Sequence, residues 1–237
     1  MFRKLFLLAA FLLTAGVAAQ AQNIQFHYDF GSYLYQDQRV PGAERPNLTT
    51  TVEMFRPDKW GNTFFFIDMD YGGSGVRGAY WEIAREFKFW EAPFAIHAEY
   101  NGGLTNKFSF HSAFLLGGTY ALNAPDFSYG FTVTPMYKYI RGNKSPHSAQ
   151  LTGTWYYHFA EGLCSFNGFM DLWYDGDSKA KTPVIFLSEP QFWLNLNKIE
   201  GVDDDFRLSV GTEWELSYNF AGNRFFVMPT LGLKWTF

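Results

Sequence analysis

Residues 206–220 read Phe-Arg-Leu-Ser-Val-Gly-Thr-Glu-Trp-Glu-Leu-Ser-Tyr-Asn-Phe, and the parity of this run decides the fold class. Phe206, Leu208, Val210, Trp214, Leu216, Tyr218 and Phe220 fall on one face of an extended chain. Arg207, Ser209, Gly211, Glu213, Glu215, Ser217 and Asn219 fall on the other. Strand side chains point alternately to opposite faces, so the spacing predicts a two-faced strand and not an amphipathic helix. Residues 94–101 repeat the pattern, with Phe94, Ile96, Ala98 and Tyr100 opposed to His97, Glu99 and Asn101.

Working outward, the same alternation divides residues 22–237 into twelve segments. They run over 23–35, 47–56, 62–71, 79–90, 94–101, 110–122, 126–140, 148–160, 164–174, 183–197, 206–220 and 224–237. Most are long enough to cross a bilayer as tilted strands, which takes about 9–11 residues. The expected fold is all-β, a transmembrane antiparallel up-and-down barrel of about 12 strands. A soluble sandwich would show the same dyad but would hide its apolar face. Two features favour the barrel. The chain opens like a secretory precursor: Arg3 and Lys4, an apolar run from Leu5 to Leu13, then small residues through Ala21. Residues 1–21 are therefore read as a signal peptide and 22–237 as the barrel. The apolar run is too short to span a bilayer, for which about 20 residues are needed. The sequence also carries 27 Phe, 14 Tyr and 8 Trp, the load expected of aromatic girdles at two membrane interfaces.

Connections agree with a barrel whose first strand runs outward. Pro57-Asp58-Lys59-Trp60-Gly61, Glu91-Ala92-Pro93, Asn123-Ala124-Pro125 and Glu161-Gly162-Leu163 are short and carry turn residues, as periplasmic turns do. The connections 36–46, 72–78, 102–109, 141–147 and 175–182 are expected as longer outer loops. Lys198 to Asp205 is long for a periplasmic turn, and Ala221-Gly222-Asn223 short for an outer loop. The chain ends Leu-Gly-Leu-Lys-Trp-Thr-Phe. Leu231, Leu233, Trp235 and Phe237 share a face, similar to the terminal strand signal of outer-membrane barrels. This points to the barrel-assembly machinery as a partner through Phe237, to outer-membrane lipids, and to the outer membrane of a Gram-negative bacterium. In Tyr80-Trp81-Glu82-Ile83-Ala84-Arg85-Glu86-Phe87, parity sends Arg85 towards lipid, which requires a bulge or a place near the rim.

The net charge of −4 lacks the basic stripe of a nucleic-acid binder. Cys164 is the only cysteine, so no intrachain disulfide forms. There is no His-Glu-x-x-His motif, Gly-x-Ser-x-Gly elbow or phosphate loop, and no cofactor is expected. Asp203-Asp204-Asp205 is read as a solvated turn in preference to a calcium site.

Residues 47–90 carry a resemblance. Asn47-Leu48-Thr49-Thr50-Thr51-Val52-Glu53-Met54-Phe55 leads to Asp58-Lys59-Trp60-Gly61, then Phe64-Phe65-Phe66-Ile67-Asp68 and Tyr80-Trp81-Glu82-Ile83. Ser165-Phe166-Asn167-Gly168-Phe169 with Trp173 and Asp175 is a weaker match. The stretch resembles the Tsx-type nucleoside-specific channels, monomeric twelve-stranded outer-membrane barrels. That resemblance implies passive diffusion of small solutes, nucleosides among them.

By parity the lumen should hold Asp29, Glu53, Asp68, Asp70, Glu82, Glu86, Glu99, Asp171, Glu189, Glu213 and Glu215. Against these stand Lys138, Arg207 and Lys234, with His27, His97 and His158. Tyr33, Phe55, Tyr80, Phe169, Trp173 and Trp193 should face the same space. A base needs an aromatic platform, worth about 1–3 kcal/mol per stack, and a ribose needs acceptors for its hydroxyls. The candidate solute-binding residues are Glu53, Phe55, Asp68, Tyr80, Glu82, Phe169, Asp171 and Trp173. Glu53, Asp68 and Glu82, on consecutive strands, should line one wall, with strands about 4.8 Å apart so that they could share hydrogen bonds or protons. The alternatives are a structural or adhesive barrel without transport, and a small lipid-acting barrel enzyme built on His97 and Glu99.

Overall fold

The computed structural model describes residues 22–34, 46–180 and 182–237. The segment read as a signal peptide, and most of the first outer connection, lie outside the described residues. The strands are β1 (Gln22–Asp29), β2 (Leu48–Asp58), β3 (Gly61–Gly72), β4 (Gly75–Phe87), β5 (Phe94–Thr105), β6 (Ala113–Asn123) and β7 (Tyr129–Ile140). They continue as β8 (His147–Phe159), β9 (Cys164–Tyr174), β10 (Val184–Ser188), β11 (Gln191–Asn195), β12 (Leu208–Tyr218) and β13 (Phe225–Thr236). Neighbours pair antiparallel, and β1 pairs with both β2 and β13, so the sheet closes on itself.

β10 and β11 are two pieces of one strand. Both pair with β9 and β12, and the register runs through the gap unshifted: Ser188↔Leu216 becomes Gln191↔Glu213, and Ser188↔Met170 becomes Gln191↔Asn167. The interruption is Pro190, which has no N–H to give the ladder. Its carbonyl still accepts from Trp214 (3.0 Å), and the Glu189 N–H still donates to Phe169 (3.0 Å). The wall therefore has twelve strands, the even number single-chain bacterial barrels use.

Carried once around the wall, the register returns to β1 displaced by sixteen residues. With strands about 4.8 Å apart and a rise of about 3.3 Å per residue, that stagger tilts the strands by about 43° and sets a backbone radius of about 12.5 Å. Side chains reaching inward from opposite walls narrow the lumen within that radius, and several of them are buried.

Burial settles which face is which. Ile83, Leu116 and Leu231 are 51, 58 and 61% exposed, whereas Gln25, His27, Thr119 and Ser217 are between 0 and 3% exposed. A soluble sandwich would show the reverse. An apolar outside around a polar inside suits only a hydrocarbon surrounding. Outward aromatics gather near both rims. Trp60 meets Phe89, Phe94 meets Tyr120 and Phe206 meets Trp235 at the periplasmic end, while Tyr100 meets Phe114 and Tyr139 meets His147 towards the outer end.

Strand bounds differ from expectation mainly at the outer end. The connection expected over 72–78 is a tight hairpin, because β3 reaches Gly72 and β4 starts at Gly75, whose φ of +118° favours glycine. The first segment stops at Asp29, and Gly31–Leu34 forms one helical turn, α1. Gly31 lies so close to β13 that a Cβ would sit 2.7 Å from the Met228 Cα. Arg85 does face outward and needs no bulge. It makes a two-pronged pair with Asp58 (2.7 and 2.9 Å), donates to Thr63 (2.9 Å) and lies over the Phe87 ring at the periplasmic rim. An outward Arg costs little at that depth, about 0–1 kcal/mol.

Candidate functional site

The lumen is built by register. Starting from Glu53, the inward neighbours across successive ladders are Phe66, Glu82, Asn101, Ala113 and Ile140. A parallel row runs from Thr51 through Asp68 and Tyr80 to Gly103. Phe55 faces Phe64 nearer the periplasmic end. Residues Glu53, Phe55, Asp68, Tyr80 and Glu82 thus share the β2–β4 wall. Phe169, Asp171 and Trp173 lie inward on β9, paired with Thr154, Thr152 and Gln150 of β8.

The expectation that Glu53, Asp68 and Glu82 share hydrogen bonds or protons is corrected. Each carboxylate has its own neutral donor: Asn23 for Glu53 (2.9 Å), Thr51 for Asp68 (2.5 Å), and Tyr80 (2.6 Å) with Asn101 (3.0 Å) for Glu82. Phe66 stands between Glu53 and Glu82. Its ring packs on Phe64 and Tyr80, whose far edge meets Phe110 from the outer loop. Gly103 leaves that space, since a Cβ there would lie 2.3 Å from the Phe110 ring.

Two lysines each sit over a lumen tryptophan. The Lys138 ammonium lies 4.9 Å from the Trp173 ring and donates to Gln150 (2.6 Å); the carboxylates of Glu82, Asp171 and Glu99 act on it. Asp171 accepts from Thr152. The second ammonium, of Lys234, lies 4.2 Å from the Trp193 ring. Trp193 Nε1 donates to Gln191 Oε1 (2.9 Å), which also accepts from Asn167 (3.0 Å), while Gln191 Nε2 donates to Glu213 (2.6 Å). His27 joins this centre through Gln25 (2.9 Å), Thr230 (3.1 Å) and Glu213 (3.8 Å). Charge-assisted bonds to neutral amides and hydroxyls let these groups stay inside a narrow space.

Two residues expected in the lumen are elsewhere. Tyr33 belongs to α1, with its hydroxyl 3.5 Å from that of outward-facing Tyr28. Arg207 precedes β12 and pairs with Asp205 (3.8 Å) in the periplasmic connection. The amides Gln25, Asn101, Gln150 and Gln191 were missed as organisers. Their inward parity was readable, but their roles depend on which carboxylate the register sets opposite. His97 bonds Glu99 (3.0 Å) and lies 3.6 Å from Glu86; His158 bonds Ser165 (2.9 Å). Both pairs face the lumen. Among the described residues no group of three or more His, Cys, Asp or Glu is arranged to hold a metal ion. In 203–205 the Asp203 carboxylate accepts the Asp205 N–H (2.8 Å) and closes a turn.

Access is uneven. Glu53, Phe64, Phe66, Asp68, Tyr80 and Glu82 are half-buried, while His97, Asn101, Leu115, Lys138, Glu215 and Met228 are buried. Trp193 and Ser217 are fully enclosed. At the periplasmic mouth a recess of about 270 Å³ opens between Phe55, Pro57, Asn62, Glu86, Lys88 and Trp90. The more exposed lumen side chains thus lie along β2–β4.

A closed wall with a lipid-facing apolar surface and a polar lumen defines the fold class as an outer-membrane β-barrel of porin type. Within that class, the chain belongs to the family described as a domain of unknown function, DUF5020, whose model matches residues 21–237. Among solved structures it is similar to the NanC porin, at 11% identity and a TM-score of 0.58 over 92% of this chain and 100% of that one. It is also similar to the KdgM porin, free and in complex with disordered oligogalacturonate, in each case at 11% identity and a TM-score of 0.50 over 92% of this chain and 99% of that one. At such identities the likeness carries the fold. No curated protein sequence matches the chain. Of the resemblance read in residues 47–90, the comparisons bear out the outer-membrane porin fold and do not show the Tsx-type family.

Proposed function

We propose that the protein is a passive channel of the outer membrane for small neutral solutes that combine a flat ring with hydroxyls, nucleosides being the class that fits best. The observation that carries this reading is the half-buried β2–β4 wall. There Phe55, Phe66 and Tyr80 offer ring faces beside the acceptors Glu53, Asp68 and Glu82. Phe169, Asp171 and Trp173 complete the track from β9. Stacking holds a base loosely and the carboxylates receive ribose hydroxyls, weak enough for passage. The KdgM structure was determined with oligogalacturonate, an acidic sugar chain. The lumen here sets Glu53, Asp68, Asp70, Glu82, Glu99 and Asp171 against Lys138 and Lys234, an electrostatic lining that opposes polyanions. Phe237, whose N–H bonds Gln22 to close the terminal strand, is in this reading the signal handed to the assembly machinery of a monomeric barrel.

The test is single-channel recording in planar bilayers with added nucleosides. Conductance steps that are blocked by adenosine or uridine, and less so in a Glu53→Gln/Asp68→Asn/Glu82→Gln variant, are expected. Equal block in the folded variant would remove the track. A second reading, a structural barrel without transport, is favoured by the enclosed packing around Trp193 and Ser217; complete electrical silence of the inserted protein would select it.

A further inference from the structure

Two adjacent inward positions of β5 each carry an acceptor that finds no donor. Glu99 gives one carboxylate oxygen, Oε2, to His97 (3.0 Å), and its other oxygen, Oε1, is without a hydrogen-bond partner. Asn101 spends its NH₂ on Glu82, and its Oδ1 is likewise without a partner. The Glu99 side chain is 8% exposed and Asn101 is 4% exposed, so water does not satisfy these atoms cheaply. The nearby cation is already engaged, since Lys138 donates to Gln150 and rests on Trp173. Glu82 and Asp171 lie close enough to interact electrostatically with Glu99.

We infer that Glu99 Oε1 and Asn101 Oδ1 form a transit subsite for a monovalent cation, making the constriction of this channel cation-selective. The inference rests on the channel reading above and adds an ionic preference to it. Lone oxygen acceptors, one of them charged, replace part of the hydration shell of a small cation. One carboxylate and one amide do not make the closed cage a divalent ion needs, which suits passage over retention. Glu99 and Lys138 meet Leu115 of β6 from opposite sides, so the subsite lies beside an ammonium that Gln150 and the Trp173 ring already hold.

The test is the reversal potential of single channels under a roughly tenfold KCl gradient. The wild type should favour K⁺ over Cl⁻. Glu99→Gln should lower that permeability ratio by about threefold or more while conductance persists, Glu99→Asp should restore most of it, and Asp126→Asn in a periplasmic turn should leave it unchanged. A wild type that favours chloride, or ratios equal in wild type and Glu99→Gln, would overturn the inference while leaving the channel reading intact. Silent wild-type barrels, shown folded by heat-modifiable mobility, would overturn the channel reading and this inference with it.

Discussion

Replacing Trp193 by alanine should make the barrel both weaker and leakier. The indole is 0% exposed, flat against β12 and β13. Gly211 and Gly232 make room for it: a Cβ at Gly211 would lie 2.5 Å from Cε3, and one at Gly232 2.8 Å from Cη2. Burying a tryptophan this completely in a dry core is worth about 3–5 kcal/mol, including a cavity part of about 24 cal/mol per Å³. Here the void would be lined by Lys234, His27 and Gln191, polar enough to admit water, so much of the cavity part is recovered. The lost contact with the Lys234 ammonium adds about 0.5–2 kcal/mol. A net loss of about 2–4 kcal/mol follows, together with a new wet space of about one large side chain beside the bore. Urea unfolding in phospholipid vesicles measures the first and single-channel conductance the second. Stability unchanged within about 0.5 kcal/mol, or unchanged conductance in a destabilised Trp193→Ala barrel, would show that the indole does not plug the lumen.

Ile67→Arg, near the middle of β3 on the lipid face, should cost about 2–4 kcal/mol in vesicle unfolding, whereas Arg85 of β4, at the rim, already sits outward at little cost. Gly61→Ala should destabilise by about 2–3 kcal/mol, because its φ is +136° and a Cβ would lie 2.0 Å from the Glu86 carbonyl oxygen; Gly73→Ala, with no atom within 4 Å of its Cβ, should shift the same unfolding midpoint by less than about 0.5 kcal/mol.

Much of the wall was legible because one rule, side-chain alternation, operates along every strand. The ninth segment, 164–174, coincides with β9 at both ends, since Glu161-Gly162-Leu163 makes a turn in which Glu161 and Gly162 take positive φ. The same rule placed all eight candidate lumen residues inward. It failed where alternation stops being the governing constraint. Tyr33 follows Gly31, where close approach to β13 turns the chain out of the strand, and Arg207 lies just ahead of the β12 ladder. Parity also says nothing of what touches what. That Asp58 anchors Arg85 across 27 residues, or that Glu82 finds Asn101, depends on the pairing register and on the sixteen-residue stagger it accumulates.

Side-chain size on β6 explains why the constriction is asymmetric. β6 turns Ala113, Leu115, Gly117, Thr119 and Ala121 inward, none of them charged, and Gly117 is pressed so tightly on β7 that a Cβ would meet the Pro135 carbonyl at 2.2 Å. A low, uncharged stripe on one strand lets long side chains from both flanking strands lean over it. Glu99 and His97 come from β5, Met136 and Lys138 from β7, and they meet above Leu115 and Thr119. Along β2–β4 no such stripe exists, so Glu53, Phe66, Asp68 and Tyr80 stand side by side and keep one flank towards solvent. The division between a charged constriction and an open aromatic wall is thus set by small residues that carry no chemistry themselves.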